Sequence, residues 1–328
     1  MFKTKRYLLT ATIVIFFICF SLFIKQREKS DLPVIAIANY GSHSSLHEII
    51  SSIKTELSRL GFKEGEQINF EIADVNFEPT LIMQMLTKLK ATNPKIVIAL
   101  TTPVAQAAKS TFKDTPLIFT GITDPIEAGL INNSPDTRNN ITGASDRQDL
   151  KLMLKFAEEL LPHAKKVGML YLTSEANDLA LVKMMSEAAK IHNMEILLVP
   201  VEQTKDIPFR MRTFKDKADF IYVGVSGIIQ PALPAIISSA DQMKIPVINA
   251  DSGAVKKHLL LGSYGVNYTK VGINTAQIVG RILAGEKVEN IAPIYPSKND
   301  HSGFVSKQKA DKLGITLPLY IEHVEILR

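Results

Sequence analysis

Hydroxyl and carboxylate side chains gather where apolar runs end in this 328-residue chain. Thr101 and Thr102 close "KIVIAL", Thr123 and Asp124 follow "PLIFTGI", and Ser145 and Asp146 follow "NITGA". Ser174, Glu175 and Asn177 come after "KKVGMLYL", Ser226 after "ADFIYVGV" and Asp251 after "IPVINA". A strand that ends in hydroxyls just before a helix offers side-chain donors, free backbone N–H groups and a positive dipole end, a combination that suits a carboxylate. Asp and Glu suit an ammonium. Two such rims facing each other would enclose a small polar solute, and the two kinds of group together describe an amino acid. Thr101-Thr102 before Pro103 also fits an ordinary N-cap with proline in the first helical turn. Tyr40, Phe119, Tyr171, Tyr222, Tyr264 and Tyr268 lie in or just after apolar runs, where they either stack on a ring of the solute or pack the core. Ser42 joins Tyr40 in "NYGSHSS", after the first such run.

The elements that must position these residues follow from periodicity. Val34–Asn39 reads as a short buried strand. In the next stretch Leu46, Ile49, Ile50, Ile53, Leu57 and Leu60 trace one helical face, and Gly61 ends it. "QINFEIAD" alternates as a strand does, and "PTLIMQMLTKLKATN" is a helix with proline in its first turn. Strand and helix then alternate strictly to Gly121, and after a loop the alternation restarts at "RQDLKLMLKFAEELLP". This order implies α/β architecture with parallel sheets covered on both faces, in two doubly wound Rossmann-like lobes. The boundary falls near Thr142–Asp146. Lobe 1 is expected over 33–143 plus about 250–292, and lobe 2 over 144–249 plus about 293–328. The chain then crosses more than once, with hinges expected near Thr142–Ser145 and Asn249–Asp251. A late strand near Phe304-Val305 and a short helix to Gly314 finish the second unit.

The first thirty residues differ from the body. No charge interrupts Tyr7 to Ile24, and basic residues flank the run on both sides, as in a secretory signal peptide or an N-terminal membrane anchor. Residues 1–30 hold six Lys/Arg and one acid, a net of +5, and the whole chain is also +5, so the body is neutral. A nucleic-acid-binding body would want a basic face, and none is visible. Cys19 is the only cysteine and lies in the apolar run, so the body has no disulfide, thiolate metal site or thiol nucleophile. His43 and His47 have metal-pair spacing but no acidic or cysteine partner nearby. "GVSG" fails the nucleophile-elbow pattern because Ile228 stands at the last glycine position. No phosphate-binding glycine loop occurs, so the chain is not an ATPase. No catalytic set, cofactor or metal is expected.

Several stretches in order carry a family resemblance: "LGFKEGEQINFEIADVN", "IALTTPVAQAA", "PLIFTGITDPIEAGL", "NITGASD", "YLTSEAND", "YGVNYTKVGINTAQIVGRILAGEK" and "ADKLGITLP". From about Pro33 to Pro318 the body resembles the solute-binding proteins of ABC importers, in the group with tryptophan- and tyrosine-type binding proteins. The resemblance implies the periplasmic-binding-protein type I fold, two lobes joined by a three-strand hinge, and a solute held between them. It also implies an extracytoplasmic location and delivery to a membrane permease driven by a separate ATPase. Thr101, Thr102, Asp124, Ser145, Asp146, Ser174, Glu175 and Asn177 sit where the family's cleft motifs lie. Two places depart: "NYGSHSS" replaces a Glu-His-Pro-like stretch, and Ser226-Gly227 replaces an Asp-Asn pair. The function expected is capture of a small polar solute, an amino acid with or without an aromatic ring, by closure of the two lobes. The alternative is a membrane-tethered sensor domain that reports the solute to a partner protein.

Overall fold

The computed structural model describes residues 32–132 and 140–328. The apolar leader lies outside them, and among the described residues no helix is long and apolar enough to cross a membrane.

Two sheets divide the chain. The first contains β1 (Val34–Asn39), β2 (Asn69–Asp74), β3 (Ile96–Leu100), β4 (Leu117–Ile122) and β5 (Ile141–Ser145). Its order is β2-β1-β3-β4-β5 and every pair is parallel. Central β3 is buried at every residue, whereas β2 at the edge is half-exposed. That difference is why one reads as a continuous apolar run and the other as an alternation. The helices α1 (Ser44–Arg59), α2 (Ile82–Lys90) and α3 (Thr102–Thr111) connect the strands. Each presents its apolar stripe to a sheet face, and two separate clusters form, one on each face.

The second sheet contains β6 (Lys166–Leu172), β7 (Glu195–Val201), β8 (Phe220–Val223), β9 (Val247–Asn249), β10 (Gly262–Val266), β11 (His301–Ser306) and β12 (Val324–Leu327). Its order is β12-β11-β10-β9-β8-β6-β7. Only the β10–β11 pair is antiparallel. Its helices are α4 (Leu150–Leu160), α5 (Ala176–Ile191), α6 (Ile207–Met211), α7 (Leu233–Met243) and, after the long α8 (Tyr268–Leu283), α9 (Lys307–Leu313).

α8 belongs with the first sheet. It lies along α1 so closely that a Cβ on Gly272 would sit 2.6 Å from the Ile49 carbonyl oxygen and 2.6 Å from Ser52 Cβ. The buried Thr275 hydroxyl meets Thr120 of β4 at 2.8 Å. Gly272→Ala would gain helix propensity of about 1 kcal/mol but must push α8 off a backbone atom, and overpacking of this kind costs about 1–3 kcal/mol. The urea midpoint of the variant is therefore expected to fall; an unchanged or raised midpoint would show that α8 can lift from α1 without loss.

The chain crosses between lobes at 146–149, 266–267 and 294–301. Ile294 bridges to Ala144 beside β5, with Ser145 N donating to Ile294 O at 2.9 Å and Ile294 N to Gly143 O at 2.9 Å. Asn267 N donates to Asp300 O at 2.7 Å, and Asp149 N donates to His301 Nε2 at 3.1 Å. The three crossings are thus laced to each other by backbone bonds and by one backbone-to-imidazole bond. This corrects the expected return to the first lobe at about residue 250 and the expected hinge at Asn249–Asp251. β9 and β10 both hydrogen-bond within the second sheet. "GSYGV" has two glycines and a serine, so β10 carries little strand signal, although all five residues are buried.

Candidate functional site

The carboxyl ends of both sheets face a cavity between the lobes. From the first lobe come the start of α1, the β3–α3 junction and the end of β4; from the second come the β6–α5 junction, the loop after β8 and the end of β9.

Thr101 is the most constrained residue of the first lobe's rim. Its backbone lies at φ 72°, ψ 156°, a region rarely tolerated by a β-branched residue. Its N–H donates to Thr120 O at 3.1 Å, and its carbonyl accepts from Ala105 N at 3.0 Å. Its hydroxyl does not cap α3; Oγ1 is buried without a hydrogen-bond partner. Thr102, beside it, is buried and lines the cavity. α1 also begins at the cavity. Its N-cap is His43, whose Nδ1 accepts from Ser45 N at 3.3 Å. An accepting Nδ1 leaves the proton of the neutral ring on Nε2. Burial pushes the His43 pKa down, against the pull of Asp251 across the cleft.

The second lobe supplies carboxylates. Glu175 Oε2 accepts from Asn177 Nδ2 at 3.2 Å and from Gly227 N at 3.3 Å. Burial raises its pKa, and those two donors oppose the rise. Asn177 Nδ2 also reaches Asp178 Oδ1 and Val225 O, each at 3.1 Å, while Asn177 Oδ1 is buried without a partner. Asp178 stands behind this pair: it accepts from Leu172 N at 2.6 Å, and burial, with Glu175 beside it, pushes its carboxyl up to about 8. Asp251 Oδ1 accepts from Gly253 N at 2.7 Å. Asp146, on the first crossing, is buried, and its Oδ1 has no partner. Burial pushes its carboxyl up to about 7, and a backbone donor and the Thr123 hydroxyl oppose the rise. Among the described residues that line the cavity there is no lysine or arginine.

Apolar walls complete the space. Tyr40 and Phe77 meet edge to face, with centroids 5.5 Å apart and planes at 77°. Leu46, Ile49 and Tyr268 add further apolar surface. Gly227 is needed here: a Cβ on it would stand 2.5 Å from Tyr40 Cε1, so a first-lobe ring rests on second-lobe backbone. The departure noted at Ser226-Gly227 thus admits Tyr40. Lys183 of α5 also reaches Glu127 of the first lobe at 2.6 Å, an exposed pair worth little by itself. The lobes are in contact, and the cleft is closed.

Of the residues singled out from sequence, Tyr40, Thr101, Thr102, Thr123, Asp146, Glu175, Asn177, Ser226 and Asp251 line the cavity. Four do not. Ser42 is exposed and pairs with His47 Nε2 at 2.9 Å. Asp124 caps a turn, accepting from Ile126 N and Glu127 N at 3.1 Å each, and pairs with Arg147. Ser145 Oγ donates to Ile122 O at 2.6 Å. Ser174 is exposed between β6 and α5. Phe119, Tyr222 and Tyr264 are core residues, and Tyr171 is half-buried on β6 away from the cavity. Sequence reasoning missed Ser45, Phe77, Gly227 and Gln230 as lining residues and read His43 only as one of a metal pair. Among the described residues no group of three His, Cys, Asp or Glu is placed to hold a metal.

The family model described as "ABC transporter substrate binding protein" matches residues 34–324. The chain belongs to that family. It is 28% identical over 267 residues to a tyrosine-binding protein of Clostridioides difficile, covering 81% of this chain and 77% of that protein. The structure of an ABC domain in complex with L-Trp from Streptococcus pneumonia superposes with a TM-score of 0.85 at 26% identity, covering 90% of this chain and 100% of that one. The ligand-free, open structure of a substrate binding protein with adhesive properties from Clostridium difficile gives 0.70, again at 26% identity, covering 90% and 99%. Identity and coverage are alike in the two comparisons, so the higher score against the complex agrees with the closed lobes seen in the contacts across the cleft. Substrate-binding proteins of this family work outside the cytoplasm and hand a small molecule to a membrane permease.

Proposed function

We propose that this substrate-binding protein captures an amino acid with an aromatic side chain and presents it to the permease with its lobes closed. The observation that carries this is the separation of donors from acceptors in one buried cavity. The first lobe turns two helix N-termini and the unpartnered Thr101 hydroxyl toward the solute. The crossing and the second lobe turn Asp146, Glu175 and Asp251 toward it, with the unpartnered Asn177 carbonyl. A carboxylate fits the first set and an ammonium the second. The ring would lie against Tyr40, Phe77 and Tyr268. Relatives that bind tyrosine or hold L-Trp support the same solute class. A solute touching both lobes stabilises the closed form, so closure follows from its differential contacts. The leader would carry the body across the membrane and, if it is retained, hold it at the outer face.

Calorimetry with L-tyrosine, tyramine and 3-(4-hydroxyphenyl)propionate tests the assignment. Removing either charged group should weaken binding about tenfold to hundredfold, the worth of a charge-assisted hydrogen bond. Tyramine binding as tightly as tyrosine would overturn the carboxylate half, and the propionate doing so would overturn the ammonium half.

A further inference from the structure

A second polar cavity opens at the seam between the lobes and shares only Tyr268 with the solute cleft. Glu48 enters from α1 in the first lobe, Asn267 stands at the crossing, and Lys256, Ser263 and Ser302 come from the second. Ser263, on β10, is 1% exposed, and its Oγ has no hydrogen-bond partner. A buried hydroxyl left unbonded is costly to keep. The Lys256 ammonium has no carboxylate within ion-pair distance among the described residues; it lies over the Phe304 ring, 4.6 Å from the centroid. Glu48 is already engaged, accepting from the Thr269 hydroxyl. Ser263 and Lys256 thus present a buried hydroxyl and a cation, both able to donate and neither with a hydrogen-bond or ion-pair partner among the described residues.

We propose that this cavity binds a small oxyanion, a phosphate or a carboxylate, with the Ser263 hydroxyl donating at its floor and Lys256 neutralising its charge. Several oxygens carrying one shared charge can accept from both donors and from the Ser302 hydroxyl, which no single first-lobe side chain does. The inference goes beyond the solute assignment and holds whatever the main cleft binds.

The test is a calorimetric titration of the full chain with inorganic phosphate, then with acetate, at ionic strength fixed by sodium chloride. Saturable one-to-one binding of either anion is expected, the tighter of the two identifying the source. Ser263→Ala and Lys256→Gln should each weaken it about tenfold, the worth of one charge-assisted bond, and Glu48→Gln should tighten it by removing a like charge. Ser263→Ala should also be at least as stable as the unaltered chain without anion, because an unbonded hydroxyl is gone. No saturable heat with either anion would overturn the proposal. So would the reverse pair of effects, Lys256→Gln tightening binding and Glu48→Gln weakening it, which marks a cation site. A Ser263→Ala variant destabilised in the absence of anion would show that its hydroxyl is bonded to water and would equally overturn it.

Discussion

Asp146→Asn should cost about a hundredfold in affinity for L-tyrosine at about pH 8 and little at about pH 5, because only the ionised carboxyl holds an ammonium well. Burial pushes this carboxyl up to about 7 in the closed cleft. Below that value the group is protonated, and an incoming ammonium must displace the proton. The affinity of the unaltered chain should then fall by up to tenfold for each pH unit below about 7. Stability runs the other way. The folded pKa is raised above the unfolded value of about 4, so the folded state binds more protons between the two, and this group's contribution to stability is lost as pH rises through about 4 to 7. Asp178, pushed up to about 8, and Glu175, also raised, act in the same direction. Comparing Asp146→Asn with the unaltered chain therefore isolates residue 146. The variant should be more stable without solute at about pH 8, where the buried charge is gone, while binding worse. Calorimetric dissociation constants and urea midpoints across the pH range check both trends. An affinity that stays flat would show that no carboxyl of raised pKa holds the ammonium.

The order of strands and helices was legible because parallel strands buried on both faces read as unbroken apolar runs, as in "IVIAL" of β3. β10 was not, since two glycines and a serine hide a strand whose burial comes from its neighbours. With β10 unread, the second crossing was placed some sixteen residues early, at Asn249–Asp251 rather than at Val266–Asn267. The site was legible as a set of strand ends but not residue by residue. Thr123 lines the cavity while Asp124 caps a turn; Asp146 lines it while Ser145 bonds back to β4. Beyond the last paired residue of a strand, the two-residue alternation that sorts side chains by face no longer holds. Turn geometry then decides, and it depends on groups far away in sequence. Phe77 shows the extreme case. It sits at φ 63°, its N–H bonds to Tyr40 O at 2.7 Å, and nothing in its neighbourhood of sequence points to a cleft.

Thr101→Gly should make the protein more stable and a worse binder. Two costs meet at this residue. A β-branched side chain at φ 72°, ψ 156° is strained by about 1–3 kcal/mol. Its hydroxyl, buried without a partner, adds roughly 1–3 kcal/mol of lost hydration. Glycine relieves both and gives back about 0.5–1 kcal/mol in unfolded-chain entropy, leaving a net gain on the order of 1–5 kcal/mol. Thr101→Val separates the two contributions, since it keeps the branching and the strain but removes the hydroxyl. It should be no less stable than the unaltered chain, because Thr101 does not cap α3. That reverses the effect an ordinary N-cap would produce, a loss on the order of 1 kcal/mol. Both variants should bind L-tyrosine about tenfold to hundredfold more weakly, through loss of one bond to its carboxylate. A strained residue carrying a buried donor with no partner in the protein is the trade of stability for function expected at a ligand site. Urea denaturation and calorimetry on the same samples decide it. Loss of stability in Thr101→Val would mean that the hydroxyl is bonded in the empty protein, and unchanged affinity in both variants would remove Thr101 from the solute's contacts.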